Sequence, residues 1–193
     1  MATGRFGKKF RIISAIEKED IRLLLLLMQK QNHRPEAPID KLGSNIFHLA
    51  CYLGKMTMIN YIYDNFHLDI NLHNEDGEAP IHMAVSGGHI NVVKWLWEKG
   101  ADVHVPTLYY HKTPYDYCCN MIKTKKFPDI GGNPRQCLAK IVEIKNYLLE
   151  KYFTDKRGEE RRKFIWAQQK LKEKGKPFGR LTKGMAREIA EFL

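Results

Sequence analysis

The chain predicts an all-α solenoid of helix-turn-helix units, followed by a C-terminal basic helical extension. Three observations carry this expectation. A block of sequence echoes itself at a spacing of 34 residues. Each echo encodes two short apolar helices that cannot bury both faces unless neighbouring units cover them. The formal net charge of +10 is concentrated outside the echoing region.

The echo is explicit. GSNIFHLACYLGKMTMINYIYDNF starts at Gly43 and GEAPIHMAVSGGHINVVKWLWEKG starts at Gly77. Gly43 falls on Gly77, His48 on His82, Ala50 on Ala84 and Gly54 on Gly88. A further step places Ala79-Pro80-Ile81-His82 on Thr113-Pro114-Tyr115-Asp116.

The units can be taken in chain order. Phe10 to Gln29 reads as two helices split near Glu17 to Asp20. Ile12, Ile13 and Ile16 face one way in the first, and the run Leu23 to Met28, between Arg22 and Lys30, fills one buried helix. Ala37-Pro38-Ile39-Asp40 then forms an exit turn before Gly43. In the unit from Gly77, Pro80 opens a short helix, where a missing N–H is harmless. That first helix is thin: Ile81, His82, Ala84 and Val85. Gly87-Gly88 ends it and permits the left-handed turn a helix stop needs. The second helix runs from Ile90 to Glu98 with Ile90, Val93 and Leu96-Trp97 on one face. Gly100 caps it. The third echo starts at Thr113, and its second helix is delayed to about Cys137 to Tyr152, with a stripe of Leu138, Ile141, Val142, Ile144, Tyr147 and Leu148. Lys123 to Arg135, KTKKFPDIGGNPR, holds two Pro and two Gly and reads as a loop insertion.

The pattern Gly77, Ala79-Pro80-Ile81-His82, Ala84, Gly88-His89, Val92-Val93, Leu96 and Gly100-Ala101-Asp102-Val103 resembles the ankyrin repeat. Gly43 to Asn71 is a second match, with Asn45-Ile46-Phe47-His48 where the family prefers Thr-Pro-Leu-His. Its turn, Phe66 to Asn71, lacks the family's Gly. The flanking units are degenerate, as terminal caps are. The resemblance covers about Phe10 to Tyr152. It implies that the repeat His braces adjacent units near the turn, and that turn tips and first-helix surfaces form a concave recognition face.

Beyond the repeats, Thr154-Asp155 can cap a helix running to about Lys174, GKPFG at Gly175 to Gly179 breaks it, and Leu181-Thr182 starts a short last helix. The domain plan is therefore a basic arm over 1–9, a solenoid of about four units over 10–152, and a basic helical extension over 153–193. Charge follows this plan. Residues 1–40 carry +3, residues 41–150 are neutral, and residues 151–193 carry +7.

No apolar run approaches the ~20 residues of a membrane span, so no membrane partner is assigned. Cys51, Cys118, Cys119 and Cys137 are too few for a disulfide framework, no signal peptide is recognised, and a reducing compartment is expected. The opening MATGRFGKKFRII has no acid before Glu17, a faint presequence likeness that sets mitochondrial import behind a cytoplasmic location.

No enzymatic constellation stands out. His48 and His82 recur at one repeat position, which argues for a structural task. Cys118, Cys119, Cys137 and His111 lack zinc-ligand spacing. The glycines form no phosphate loop with a following Lys-Ser or Lys-Thr, and there is no GxSxG. Catalytic, cofactor-binding and metal-ligating residues are therefore assigned as none.

The expected function is a docking or structural subunit of a large assembly. Trp95 is expected partly exposed and Trp97 in the core. Tyr109 and Tyr110, on the projecting turn before the third echo, are candidate anchors, together with Trp95. The basic ends are expected to grip an acidic surface through Arg161, Arg162, Lys163, Lys170, Lys172, Lys174, Lys176 and Arg180. A cytoskeletal or ciliary microtubule lattice, with tubulin as partner, is the first expectation. The alternatives are a ribonucleoprotein subunit whose basic residues meet RNA phosphates, and a soluble adaptor or regulatory protein.

Overall fold

The computed structural model describes residues 3–127 and 133–154, which hold eight α-helices and no strand. The helices are α1 (Thr3–Glu17), α2 (Ile21–Gln31), α3 (Ile46–Leu53), α4 (Met56–Phe66), α5 (Pro80–Ser86), α6 (Ile90–Glu98), α7 (Pro114–Thr124) and α8 (Pro134–Thr154). The first helices of the units pack in a row, α1 on α3, α3 on α5 and α5 on α7, and each of α1, α3 and α5 carries its second helix beside it. The architecture is an all-α solenoid.

The 34-residue period is kept by the helix starts Ile46, Pro80 and Pro114. Each start is capped differently. Asn45 Oδ1 accepts from the amides of Phe47 at 2.9 Å and His48 at 3.0 Å. In α5, His82 Nδ1 accepts the Ala79 amide at 3.1 Å, so the side chain of the third helical residue takes up an amide at the helix mouth. In α7, Thr113 and Asp116 form a reciprocal capping box, with Asp116 N donating to Thr113 Oγ1 at 3.3 Å and Thr113 N donating to Asp116 Oδ2 at 2.9 Å.

Helix stops follow the same logic. Gly54 and Gly88 take left-handed backbone at φ 69° and 72°, where a side chain is strained. The unit that lacks its glycine stops α4 with His67 at φ 49° instead. Asn32 does this for α2, and Asp20 opens that helix by accepting the Leu23 amide at 2.9 Å.

The core runs continuously through the units. Ile12, Ala15 and Ile16 of α1, Leu24, Leu27 and Met28 of α2, and Ile46, Phe47, Ala50 and Cys51 of α3 are buried. Met58, Ile59 and Ile62 of α4, residues 80–85 of α5, and Val92, Val93 and Leu96 of α6 continue it.

Several expectations need correction. The Leu23 to Met28 run is not wholly buried: Leu25 and Leu26 are exposed, because a helix at the end of a stack has only one neighbour to cover it. Trp97 is half-buried rather than core, since Val92, Val93 and Leu96 already fill the inward face. In α8 the buried stripe is Cys137, Ile141, Ile144 and Leu148, while Leu138 and Val142 are exposed one position round the helix. That helix begins a turn earlier than its apolar stripe, at Pro134, because Asn133 and Gln136 cap it reciprocally. The insertion is correspondingly shorter, since α7 runs through Thr124. The first helix begins at Thr3, so it takes in most of the stretch read as an arm. The expected tail helices after Thr154 lie outside the described residues, as does the centre of the loop at 128–132.

Candidate protein-docking surface

Three turns precede α3, α5 and α7. In the first, the Ile39 amide donates to the Ser44 carbonyl at 2.8 Å, and Asp40 Oδ1 accepts from Leu42 and Ser44. In the second, the Asn74 amide donates to the Glu78 carbonyl at 2.9 Å while Asn74 Oδ1 accepts the Glu78 amide. In the third, the Thr107 amide donates to the Lys112 carbonyl at 3.0 Å, and Thr107 Oγ1 accepts the Lys112 amide at 3.2 Å. A small polar side chain thus closes each turn: Asp40, half-buried, in the first, and the buried Asn74 and Thr107 in the second and third.

The turns lie edge to edge. The Glu75 amide donates to the Leu42 carbonyl at 3.1 Å, and the Leu108 amide to the Gly77 carbonyl at 3.3 Å. Asn74 Nδ2 adds a bond to Ser44 Oγ at 3.2 Å.

The repeat histidines tie this row to the helices. His48 Nε2 donates to the Leu72 carbonyl at 2.8 Å, with the Glu78 carbonyl at 3.2 Å, and His82 Nε2 donates to the Lys112 carbonyl at 3.1 Å. Each ring therefore bonds a backbone carbonyl of the next turn. Burial holds both imidazoles neutral, with pKa values lowered to about 4. Asp116 occupies the third position of this series and caps its own helix instead.

The three tips differ in chemistry. The first is Asp40-Lys41-Leu42 and the second Glu75-Asp76, while the third is Leu108-Tyr109-Tyr110. Exposure rises along that third tip: Leu108 57%, Tyr109 67% and Tyr110 74%. Lys112 Nζ stands 5.9 Å over the Tyr110 ring. Behind the tip, the Tyr117 hydroxyl donates to Glu78 Oε1, and its ring lies edge-on to His82 at 5.3 Å between centroids. Burial, then the Glu78 contact, pushes the Tyr117 phenol up, so it remains a proton donor.

The remaining candidates fall elsewhere. Trp95 is half-buried and packs edge-on against Tyr63 at 5.1 Å and Phe47 at 6.4 Å, with Lys99 Nζ 5.7 Å over its ring. Its ring is engaged within the repeats, away from the Tyr109–Tyr110 tip in sequence and in partners. Arg161, Arg162, Lys163, Lys170, Lys172, Lys174, Lys176 and Arg180 lie outside the described residues. Cys51 and Cys118 are buried, and burial pushes both thiols up, Cys118 to about 12, which disfavours the thiolate that nucleophiles and metal ligands need. No helix among the described residues is long and apolar enough to cross a membrane. Leu108 is the tip residue missed in the sequence. Its signal was its place beside Tyr109, directly after the turn-closing Thr107.

Stacked helix pairs joined by projecting, hydrogen-bonded turns define a repeat protein of the protein-interaction class. Residues 12–107 match the model for ankyrin repeats in three copies, and over this region the chain belongs to the ankyrin repeat family. A 56-residue segment is 36% identical to alpha-latrocrustotoxin-Lt1a of Latrodectus tredecimguttatus, covering 29% of this chain and 4% of that protein. A putative ankyrin repeat protein of Rickettsia bellii is 36% identical over 76 residues, or 39% of this chain and 41% of the relative. Ankyrin repeat domain-containing protein 49 of Bos taurus is 30% identical over 73 residues, or 38% of this chain and 31% of the relative. The chain thus spans less than half the length of each of these relatives.

Proposed function

We propose that this protein is a non-catalytic docking subunit that engages a protein partner through its third turn and carries a second contact in its basic ends. The observation that carries the reading is the Leu108-Tyr109-Tyr110 tip. It presents three adjacent apolar side chains to solvent on a backbone pinned at Thr107 and Lys112. Rigidly held aromatic side chains are effective anchors because little conformational freedom is lost when they bind.

Support for a second contact comes from the charge plan. The middle of the chain is neutral and residues 151–193 carry +7. A cationic segment of this kind suits a dense acidic protein surface, and a microtubule lattice in the cytoskeleton or a cilium is the specific surface proposed. Co-sedimentation of the full chain with polymerised tubulin tests it. Binding that weakens as salt rises, and that is lost on truncation at Phe153, is the expected result. Equal binding without the tail, or salt-insensitive binding, overturns the lattice. Retention instead on RNA, falling linearly on a log–log salt plot, would replace the lattice with a ribonucleoprotein setting.

A further inference from the structure

The third turn departs from the other two in a way the fold does not need. Gly43, Gly77 and His111 stand at one repeat position, and all three adopt left-handed backbone, at φ 72°, 76° and 48°. Glycine does this freely, whereas a non-glycine residue carries about 1 kcal/mol of strain. The same turn exposes three apolar side chains where its neighbours expose mainly charged ones. The first departure costs the isolated fold about 1 kcal/mol, and the second adds nothing to it. Sites that keep such features are where the exposed groups are used.

The surroundings of this apolar tip select the partner's charge. The second turn places Glu75 and Asp76 in the adjoining row, both exposed. Among the described residues, neither has a cationic partner within 4.0 Å. Glu78 stands behind them, and Asp76, Glu78 and Tyr110 all lie within electrostatic reach of Tyr117. Across residues 74–78 and 107–117 there are four carboxylates against one lysine, Lys112, in a chain whose formal charge is +10. The tip is thus a local reversal of the protein's charge. A cation approaching the adjoining turns meets the exposed carboxylates of Glu75 and Asp76 next to exposed tyrosines, one of which, Tyr110, already carries the Lys112 ammonium over its ring, a setting that suits an arginine or lysine with an apolar neighbour.

We infer that the third turn, with Glu75 and Asp76 of the second, is a docking surface for a basic peptide segment of a partner protein, in which an apolar side chain seats on Leu108, Tyr109 and Tyr110 and an adjacent arginine or lysine faces the carboxylates. The inference rests on the docking role of the repeats and adds the chemistry of what docks.

Selection of a phage-displayed random-peptide library on the full-length protein tests it. The selected peptides carry arginine or lysine next to an apolar residue. A synthetic copy followed by fluorescence anisotropy loses ~10-fold or more in affinity against Tyr109→Ser/Tyr110→Ser. A similar loss occurs against Glu75→Lys/Asp76→Lys, and raising salt from about 0.05 M to about 0.5 M weakens binding to the wild type. All four positions are exposed, so unchanged thermal melts confirm that the variants fold. Peptides without basic residues, or affinity unchanged by the turn variants, overturn the inference. If binding is lost instead on Ser86→Arg, on the helical face, the basic-peptide site falls while protein docking by the repeats stands. If no peptide is selected at all, both fall.

Discussion

The amide of Leu108 donates to the carbonyl of Gly77 at 3.3 Å, and a Cβ added at Gly77 would overlap both the Leu108 side chain and its backbone nitrogen. This one contact sets how closely the third turn lies against the second, and so where the tyrosine tip sits.

Gly77→Ala therefore carries two penalties, left-handed strain at φ 76° and the collision with Leu108. Together they predict a loss of about 2–4 kcal/mol in urea unfolding. Gly100→Ala is the control. Its φ is 91° but nothing lies within 4 Å of an added Cβ, so only the strain of about 1 kcal/mol is expected. Equal losses in the two variants would mean that the turns are not in close contact.

His48 and His82 predict an acid-sensitive fold. Burial lowers each pKa from 6.5 to about 4, so between these values the unfolded chain binds protons that the folded chain refuses. Stability is complete above pH 6.5 and falls as pH drops towards 4, by up to about 3 kcal/mol per histidine. Thermal melts across this range show it. His82→Gln keeps a side-chain N–H for the Lys112 carbonyl and cannot titrate, so its stability should fall less steeply, by about one proton. A slope identical to wild type would refute the assignment.

His111→Gly removes the strain of a non-glycine residue at φ 48°. A gain of about 0.5–1 kcal/mol is expected, read as an upward shift of a few degrees in the melting midpoint. A loss would show that the His111 side chain holds the turn.

Trp95→Ala is predicted to destabilise by about 3 kcal/mol, because the ring fills space against Tyr63 and Phe47 and carries Lys99 over its face. Tyr110→Ala, which removes a ring that is 74% exposed, should change stability by less than about 0.5 kcal/mol. Chemical denaturation of the two variants separates a structural aromatic from one available to a partner. A Trp95→Ala protein as stable as wild type would return Trp95 to the docking surface.

Much of this architecture was legible in the chain because a repeat repeats its physics. Pro80 and Pro114 marked helix starts, Gly88 and Gly100 marked the left-handed stops, and the bounds of α6 were readable to the residue from Ile90 to Glu98. The recurrence of His48 at His82 pointed to bracing, and the carbonyls of Leu72 and Lys112 supply its partners. Other details stayed unreadable where no local rule applies. His67 stops α4 without glycine, because histidine tolerates a single left-handed residue when the chain on either side is fixed. Trp95, read as partly exposed, is half-buried, but its ring partners Tyr63 and Phe47 precede it by 32 and 48 residues and no local pattern names them.

By itself, the sequence determined the repeat, its period, the bounds of α6 and the partition of charge, since these are written in residue types and their spacing along the chain. The tertiary structure decided which of several apolar residues are covered. Leu26 is 59% exposed while Leu27 is buried, and Tyr110 stands clear while Tyr117 bonds Glu78. Burial depends on what the adjoining unit places opposite a side chain, and that pairing exists only once the units have stacked.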